Sequence, residues 1–307
     1  MSESDAAVAP ESKQRSVAQY ISLALRGAMM GIAEVIPGVS GGTIAFISGI
    51  YDELLSSIAR FGPASFGVLR RTGIAGFWQQ HNLGFLLALA AGMGLSLVTV
   101  ARLVKAALET SPPLVWAFFF GLIIASIIVL LRGLRWQHAV LFGSLGLLLG
   151  IVLSRLSPAT LEAEWWMLLL GGMVAVTAWI LPGISGSLML LLLGLYPAVL
   201  AAVADFDVIM LGSLLGGCVL GLLVFARVLV WLLGNFRGPV LALLTGVMAG
   251  SLVKLWPWQG AAAELLMPAQ YAAQVADPMT LPALTLMGLG LLAVTLLARF
   301  NPADEAS

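Results

Sequence analysis

The sequence predicts an all-α polytopic membrane protein: two inverted-topology repeats, each a broken or re-entrant helix pair followed by three transmembrane helices. Three observations predict it. First, 60% of the 307 residues are hydrophobic and 10% are charged, with a mean hydropathy of +1.03, whereas soluble globular chains carry about 25% charged residues. Second, apolar stretches of spanning length recur along the chain. Third, one stretch occurs twice. Residues 33–55 read AEVIPGVSGGTIAFISGIYDELL and residues 178–200 read AWILPGISGSLMLLLLGLYPAVL. An offset of 145 pairs Pro37 with Pro182, Gly38 with Gly183, Ser40 with Ser185, Gly41 with Gly186, Gly49 with Gly194 and Tyr51 with Tyr196.

Each copy must interrupt a helix at its Pro-Gly. Proline lacks an N–H and its ring clashes with the preceding turn, while glycine admits backbone angles that other residues avoid. One helix is expected to stop near Ile36 and the next to start near Ser40. Unpaired backbone groups are tolerated at membrane depth only against protein or a watery cavity.

In chain order, residues 1–16 read as a solvated cytoplasmic tail, and no cleaved signal peptide is expected. Apolar segments at 17–36 and 39–58 flank the first break, and a polar stretch follows at 59–82. Spans are expected at 83–107, 113–131 and 138–156, then the second broken pair at 165–181 and 184–203. Further spans are expected at 207–232, 238–256 and 281–299, with an acidic loop over 257–280. The repeat extends beyond the breaks. Arg102 matches Arg227 and Gly121 matches Gly246 at offset 125, and Gly146 matches Gly290 at offset 144. The first repeat is therefore 17–158 and the second 165–302, together one membrane domain.

A broken pair returns the chain to its starting side whether it re-enters or crosses twice. Three further spans make the number of crossings odd, so the halves are expected to be inverted, as is common in transporters. With the N-terminus on one side, Arg60, Arg70, Arg71, Arg132, Arg135 and Arg237 collect there, and Glu162, Glu164, Asp205, Asp207, Glu264 and Asp277 collect opposite. The positive-inside rule makes the first side, with both termini, cytoplasmic. Trp116, Trp165, Trp166, Trp256 and Trp258 fall at expected outer span ends, and Trp136 and Trp231 at inner ones, as aromatic belts would. Glycine pairs at 27/31, 146/150, 212/216, 217/221 and 246/250 suit close helix approach.

Inversion is expected to bring the two Pro-Gly-x-Ser-Gly tips together near the midplane. There the second helix of each pair aims free N–H groups and the positive end of its dipole at one point. Ser40, Gly41, Gly42 and Thr43 from one tip, with Ser185, Gly186 and Ser187 from the other, would form a cradle for a phosphate or carboxylate. The competing reading makes Ser40 and Ser185 simple helix caps. Arg102 and Arg227 sit at matching places in apolar spans, where an arginine needs a partner. Each either pairs with an anionic ligand or snorkels to its span end. Arg26 has no arginine counterpart, since Gly171 stands at the matching position. Glu34, whose counterpart is Trp179, is the acid well inside the hydrophobic part and is a candidate proton carrier or a balance for an arginine. His81 and His138 fall in expected cytoplasmic loops, and Cys218 in an apolar run where packing is its expected role. No metal-ligand spacing, nucleophile motif or phosphate-binding P-loop appears, so no metal and no cofactor is expected. A net charge of zero gives no reason to expect a nucleic-acid partner.

The first motif, with its echo, resembles the PopT-type polyprenyl-phosphate transporter family over about residues 17–300. The resemblance implies translocation of undecaprenyl phosphate from the outer to the inner leaflet of the bacterial cytoplasmic membrane. It also implies that Glu34, Pro37, Gly38, Ser40, Gly41, Gly42 and Thr43, then Pro182, Gly183, Ser185 and Gly186, belong to the substrate site. Arg102 and Arg227 join them by the symmetry argument alone. Two alternatives stand beside this reading. One is an undecaprenyl-diphosphate phosphatase-like enzyme, whose Pro-Gly-x-Ser tips continue with Arg where Gly41 and Gly186 stand here. The other is a carrier for a small soluble anion.

Overall fold

The computed structural model describes residues 15–35, 40–156, 163–260 and 264–299. In order, the helices are α1 (Val17–Glu34), α2 (Gly41–Ile47), α3 (Tyr51–Ala59), α4 (Ala64–Gln80), α5 (Leu83–Thr99), α6 (Ala101–Thr110) and α7 (Pro112–Arg132). They continue with α8 (Trp136–Arg155), α9 (Trp165–Ile180), α10 (Gly186–Leu192), α11 (Tyr196–Ala204), α12 (Val208–Ser251), α13 (Pro268–Gln274) and α14 (Thr280–Arg299). Among the described residues the only β pairing is an isolated bridge between Gln259 and Leu265. Helices α7, α8 and α12 are each long and apolar enough to cross a membrane. The pairs α4–α5 and α10–α11, bent by 50° and 106°, raise the number of such spans to as many as five. The chain is an all-helical polytopic membrane protein.

Local sequence sets the boundaries. Ser16 opens α1 with a capping box: its hydroxyl accepts from Gln19 N–H, and the Gln19 side chain accepts from Ser16 N–H. Pro112 opens α7, where a missing N–H costs nothing. Asp207 caps α12 through the N–H groups of Ile209 and Met210. Pro239 breaks the ladder inside α12, and the chain kinks at Phe236 (φ −133°, ψ 40°).

The second helix of each expected pair is itself broken. The segments expected as unbroken helices at 39–58 and 184–203 divide into α2 with α3 and α10 with α11. Both divisions turn on a glycine with φ of 72°, at Gly49 and at Gly194, a left-handed angle that glycine adopts without steric cost. The halves match in length as well: α2 and α10 are seven residues each, α3 and α11 nine each, all at offset 145. Three other expectations also change. The polar stretch at 59–82 folds as α4, the span at 83–107 divides near Val100 into α5 and α6, and the spans at 207–232 and 238–256 join as the kinked α12.

Glycines set the packing. Helix α1 lies on α5, α9 on the first part of α12, α7 on α14, and α8 on the second part of α12. A Cβ on Gly27 would overlap the Leu89 carbonyl, and one on Gly92 the Ala24 carbonyl. The counterparts repeat this residue for residue: Gly172 faces Leu214 and Gly217 faces Leu169. A second set does the same, with Gly121 on Met287 and Gly290 on Phe118, mirrored by Gly246 on Gly143 and Gly146 on Leu243. The expected pair Gly212/Gly216 does not take part, since Gly212 has nothing within 4 Å and Gly216 has only the far end of Leu169. Gly217→Val should therefore cost roughly 1–3 kcal/mol or more, as overpacking against backbone does, and should lower the yield of folded protein in a thermal-shift assay. Gly212→Val should leave the melting temperature unchanged.

One core joins the halves, with Met30, Ile44, Leu55, Phe85 and Ile123 packed with Ile180, Leu229, Met248 and Val294. The loop after α12 forms a cover. Trp258 is buried, and its indole N–H donates to the Pro278 carbonyl, while Trp256 donates to Leu266. Trp256 is packed edge-on against both Trp258 and Phe120. His81 is buried at the end of α4, stacked on Phe77 and hydrogen-bonded to Ser65. Cys218, half-buried, lies beside Gly172 in the α9–α12 contact.

Candidate functional site

The two tips touch. Ser40 is the N-cap of α2 (φ −117°, ψ 140°). Its hydroxyl accepts from Gly42 N–H at 3.1 Å and donates to the Trp179 carbonyl, at the end of α9, at 2.6 Å. The capping role and the contact between tips are thus filled by one hydroxyl. Thr43 Oγ1 accepts from Gly183 N–H at 3.0 Å, and Tyr51 O–H donates to the Ile180 carbonyl at 3.1 Å. Gly42 lies so close to α9 that a Cβ there would stand 2.6 Å from the Ile180 carbonyl oxygen. Ser40 and Thr43 are fully buried.

Glu34 closes the other side of the first tip. From the last residue of α1 its carboxylate reaches across the gap and accepts from Gly41 N–H at 2.5 Å. Trp179 stands at the matching place in the second repeat. The second tip is built differently. Ser185 has the backbone angles of an N-cap but caps nothing with its side chain. Its hydroxyl pairs with that of Ser187 at 2.9 Å. One of these two hydroxyls donates to the other, which leaves the second O–H of the pair uncommitted. Pro182, Gly183, Ser185 and Gly186 are buried, whereas Ser187 is exposed. Gly183 holds φ at 87° against the backbone of Met248.

The structure brings Glu34, Ser40, Gly41, Gly42, Thr43, Pro182 and Gly183 into one junction, with Ser185, Gly186 and Ser187 on its second side. Pro37 and Gly38 lie outside the described residues. The two symmetric arginines stand elsewhere. Arg227 donates from Nε to the Ala59 carbonyl at 3.2 Å and from a guanidinium N–H to the Phe61 carbonyl, tying α12 to the end of α3. Arg102 lies exposed in the first turn of α6. Sequence reasoning missed the carbonyls of Trp179 and Ile180 and the hydroxyl of Tyr51. The pairing of Tyr51 with Tyr196 was the available signal for the last. Among the described residues no group of three His, Cys, Asp or Glu side chains could hold a metal ion.

Fold and junction together define a polytopic membrane protein with a buried polar contact between two broken helices. A family model described as undecaprenyl phosphate translocase-like matches residues 30–274. A polyprenyl-phosphate transporter of Vibrio cholerae serotype O1 is 45% identical over 242 residues, 78% of this chain and 79% of the relative. A polyprenyl-phosphate transporter of Staphylococcus aureus is 28% identical over 253 residues, 76% of this chain and 85% of the relative. No solved structure matches the chain. The chain belongs to the undecaprenyl phosphate translocase-like family, whose named relatives are transporters and not enzymes. That membership sets aside the phosphatase-like alternative.

Proposed function

We propose that this protein returns undecaprenyl phosphate, the polyprenyl-phosphate carrier lipid, from the outer to the inner leaflet of the bacterial cytoplasmic membrane. The phosphate sits where the two tips meet while the polyprenyl tail stays in lipid. The observation that carries this reading is the shared junction, in which Ser40 and Thr43 of one tip bond directly to Trp179 and Gly183 of the other. A junction made of two halves can open toward either face. Matched element lengths and matched glycine contacts support two repeats, and the odd number of crossings expected for each half from the sequence would make them inverted. The arginine-rich side, with both termini, is then cytoplasmic. The test is titration of the purified protein in nanodiscs with undecaprenyl phosphate and with undecaprenol. Saturable binding of the phosphate and none of the alcohol is expected, and equal binding of both would contradict the assignment.

Glu34 gives the junction a means of coupling to protons. Its carboxylate occupies the Gly41 N–H, a donor that a phosphate oxygen could also use. Two anions cannot share that donor without strong repulsion, so a proton arriving on Glu34 favours phosphate entry. Glu34→Gln keeps an oxygen acceptor for Gly41 but carries no titratable group. In this variant undecaprenyl-phosphate binding should persist, while the response of transport to an imposed pH gradient should fall to none. A wild-type response to the gradient in Glu34→Gln would remove the coupling role.

A further inference from the structure

Between α1, α2, α7 and α14 lies a cavity of about 210 Å³, walled by Met29, Ile44, Ile47, Phe118, Ala293 and Val294 among others. A hydroxyl in its wall, that of Ser48, is turned back onto the Ile44 carbonyl at 2.7 Å, so the space asks for no polar occupant. Apolar cavities of about 150 Å³ stay dry and take up molecules the size of benzene. Ile44 and Ile47 are four and seven residues along α2 from Ser40, about 6 and 10 Å at the helical rise. We propose that this cavity is a binding site for the first isoprene units of the polyprenyl chain, a reading that rests on the proposed function. The branched methyl groups of an isoprenoid suit a wall of Ile, Met and Phe at that distance from a phosphate held at Ser40. In the second repeat the equivalents of Ile44 and Leu122, Met189 and Val247, are packed together with Ile184, so the site falls in the first repeat alone.

Ala293→Phe fills the cavity from α14. It should weaken undecaprenyl-phosphate binding in nanodiscs at least tenfold, and Phe118→Ala added to it should restore binding by reopening the space. Leu289→Phe, at an exposed position on the same helix, should change nothing. Wild-type affinity in Ala293→Phe would give the cavity to an ordinary phospholipid chain and overturn the site while leaving the function standing. Loss that Phe118→Ala fails to restore would also overturn it. A wild-type protein that binds no undecaprenyl phosphate would overturn the function and this site with it.

A different observation carries a second inference. Every member of the tie between Arg227 and the end of α3 exists twice in the sequence: Arg102 matches Arg227, Ala204 matches Ala59 and Phe206 matches Phe61. Only one copy is made. Arg102 is exposed and has no hydrogen bond or ion pair among the described residues. We infer that Arg102 docks on the carbonyls of Ala204 and Phe206 when the two halves exchange conformation, as Arg227 leaves those of Ala59 and Phe61. The two arginines are thereby positioning residues for opposite-facing states. In a Cys218→Ala background, Arg60→Cys with Val228→Cys should report the present tie by disulfide formation. Leu103→Cys with Asp205→Cys should report its mirror. Arg227→Ala should raise the yield of the second crosslink and lower the first, and Arg102→Ala should do the opposite. No crosslink between positions 103 and 205, or both substitutions moving the yields in one direction, would overturn the exchange.

Discussion

Gly42→Ala is expected to abolish transport, with at least a tenfold loss in the rate at which the lipid crosses the bilayer. The added methyl would stand 2.6 Å from the Ile180 carbonyl oxygen and 2.7 Å from that of Trp179. Both are backbone atoms and neither can swing away. Relief requires α2 and the end of α9 to part, at a cost of roughly 1–3 kcal/mol, which also stretches the bonds from Ser40 to Trp179 and from Thr43 to Gly183. Gly41→Ala is the informative contrast. Its methyl would meet the Glu34 carboxylate at 2.9 Å, the end of a flexible side chain, so a partial loss is expected. Gly94→Ala, with nothing within 4 Å, should transport at the wild-type rate.

The double substitution of Ser40 and Ser185 by alanine should eliminate binding of undecaprenyl phosphate. Losing Ser40 removes the cap of α2, worth about 1 kcal/mol. It also strands the buried Gly42 N–H and the Trp179 carbonyl, at about 1–3 kcal/mol for each group left unsatisfied. Ser185 makes no cap bond, so Ser185→Ala alone should cost little stability and should act on binding. The two single variants are therefore expected to separate: Ser40→Ala lowers both melting temperature and affinity, Ser185→Ala affinity alone. Unchanged affinity in the double variant would take the phosphate away from the tips.

Much of this arrangement was readable from residue types. Proline and glycine announce a helix break wherever they occur together, so the separation of α1 from α2 and of α9 from α10 was plain. The seams of glycine were readable too, except that spacing alone chose Gly212 and Gly216, which face nothing that needs closeness. The turns at Gly49 and Gly194 were not, because an apolar run of spanning length reads as one helix until a positive φ is seen. Helix α4 hid behind its arginines and glycines. At the site itself, two of the three hydrogen bonds between the tips end on the carbonyls of Trp179 and Ile180, and a backbone acceptor leaves no mark in a sequence. An arginine in an apolar span announces that it has a partner without saying which. For Arg227 the partners are two carbonyls at the end of α3.

The most direct test places a fluorescent polyprenyl phosphate in one leaflet of liposomes containing the wild-type protein or Gly42→Ala, and follows its appearance in the other leaflet with and without a pH gradient. The wild-type protein should move the lipid faster than protein-free liposomes do, with a rate that responds to the gradient, and Gly42→Ala should match the protein-free rate. Wild-type speed in Gly42→Ala, or no acceleration by the wild-type protein, would contradict a substrate site built from the meeting of the two tips.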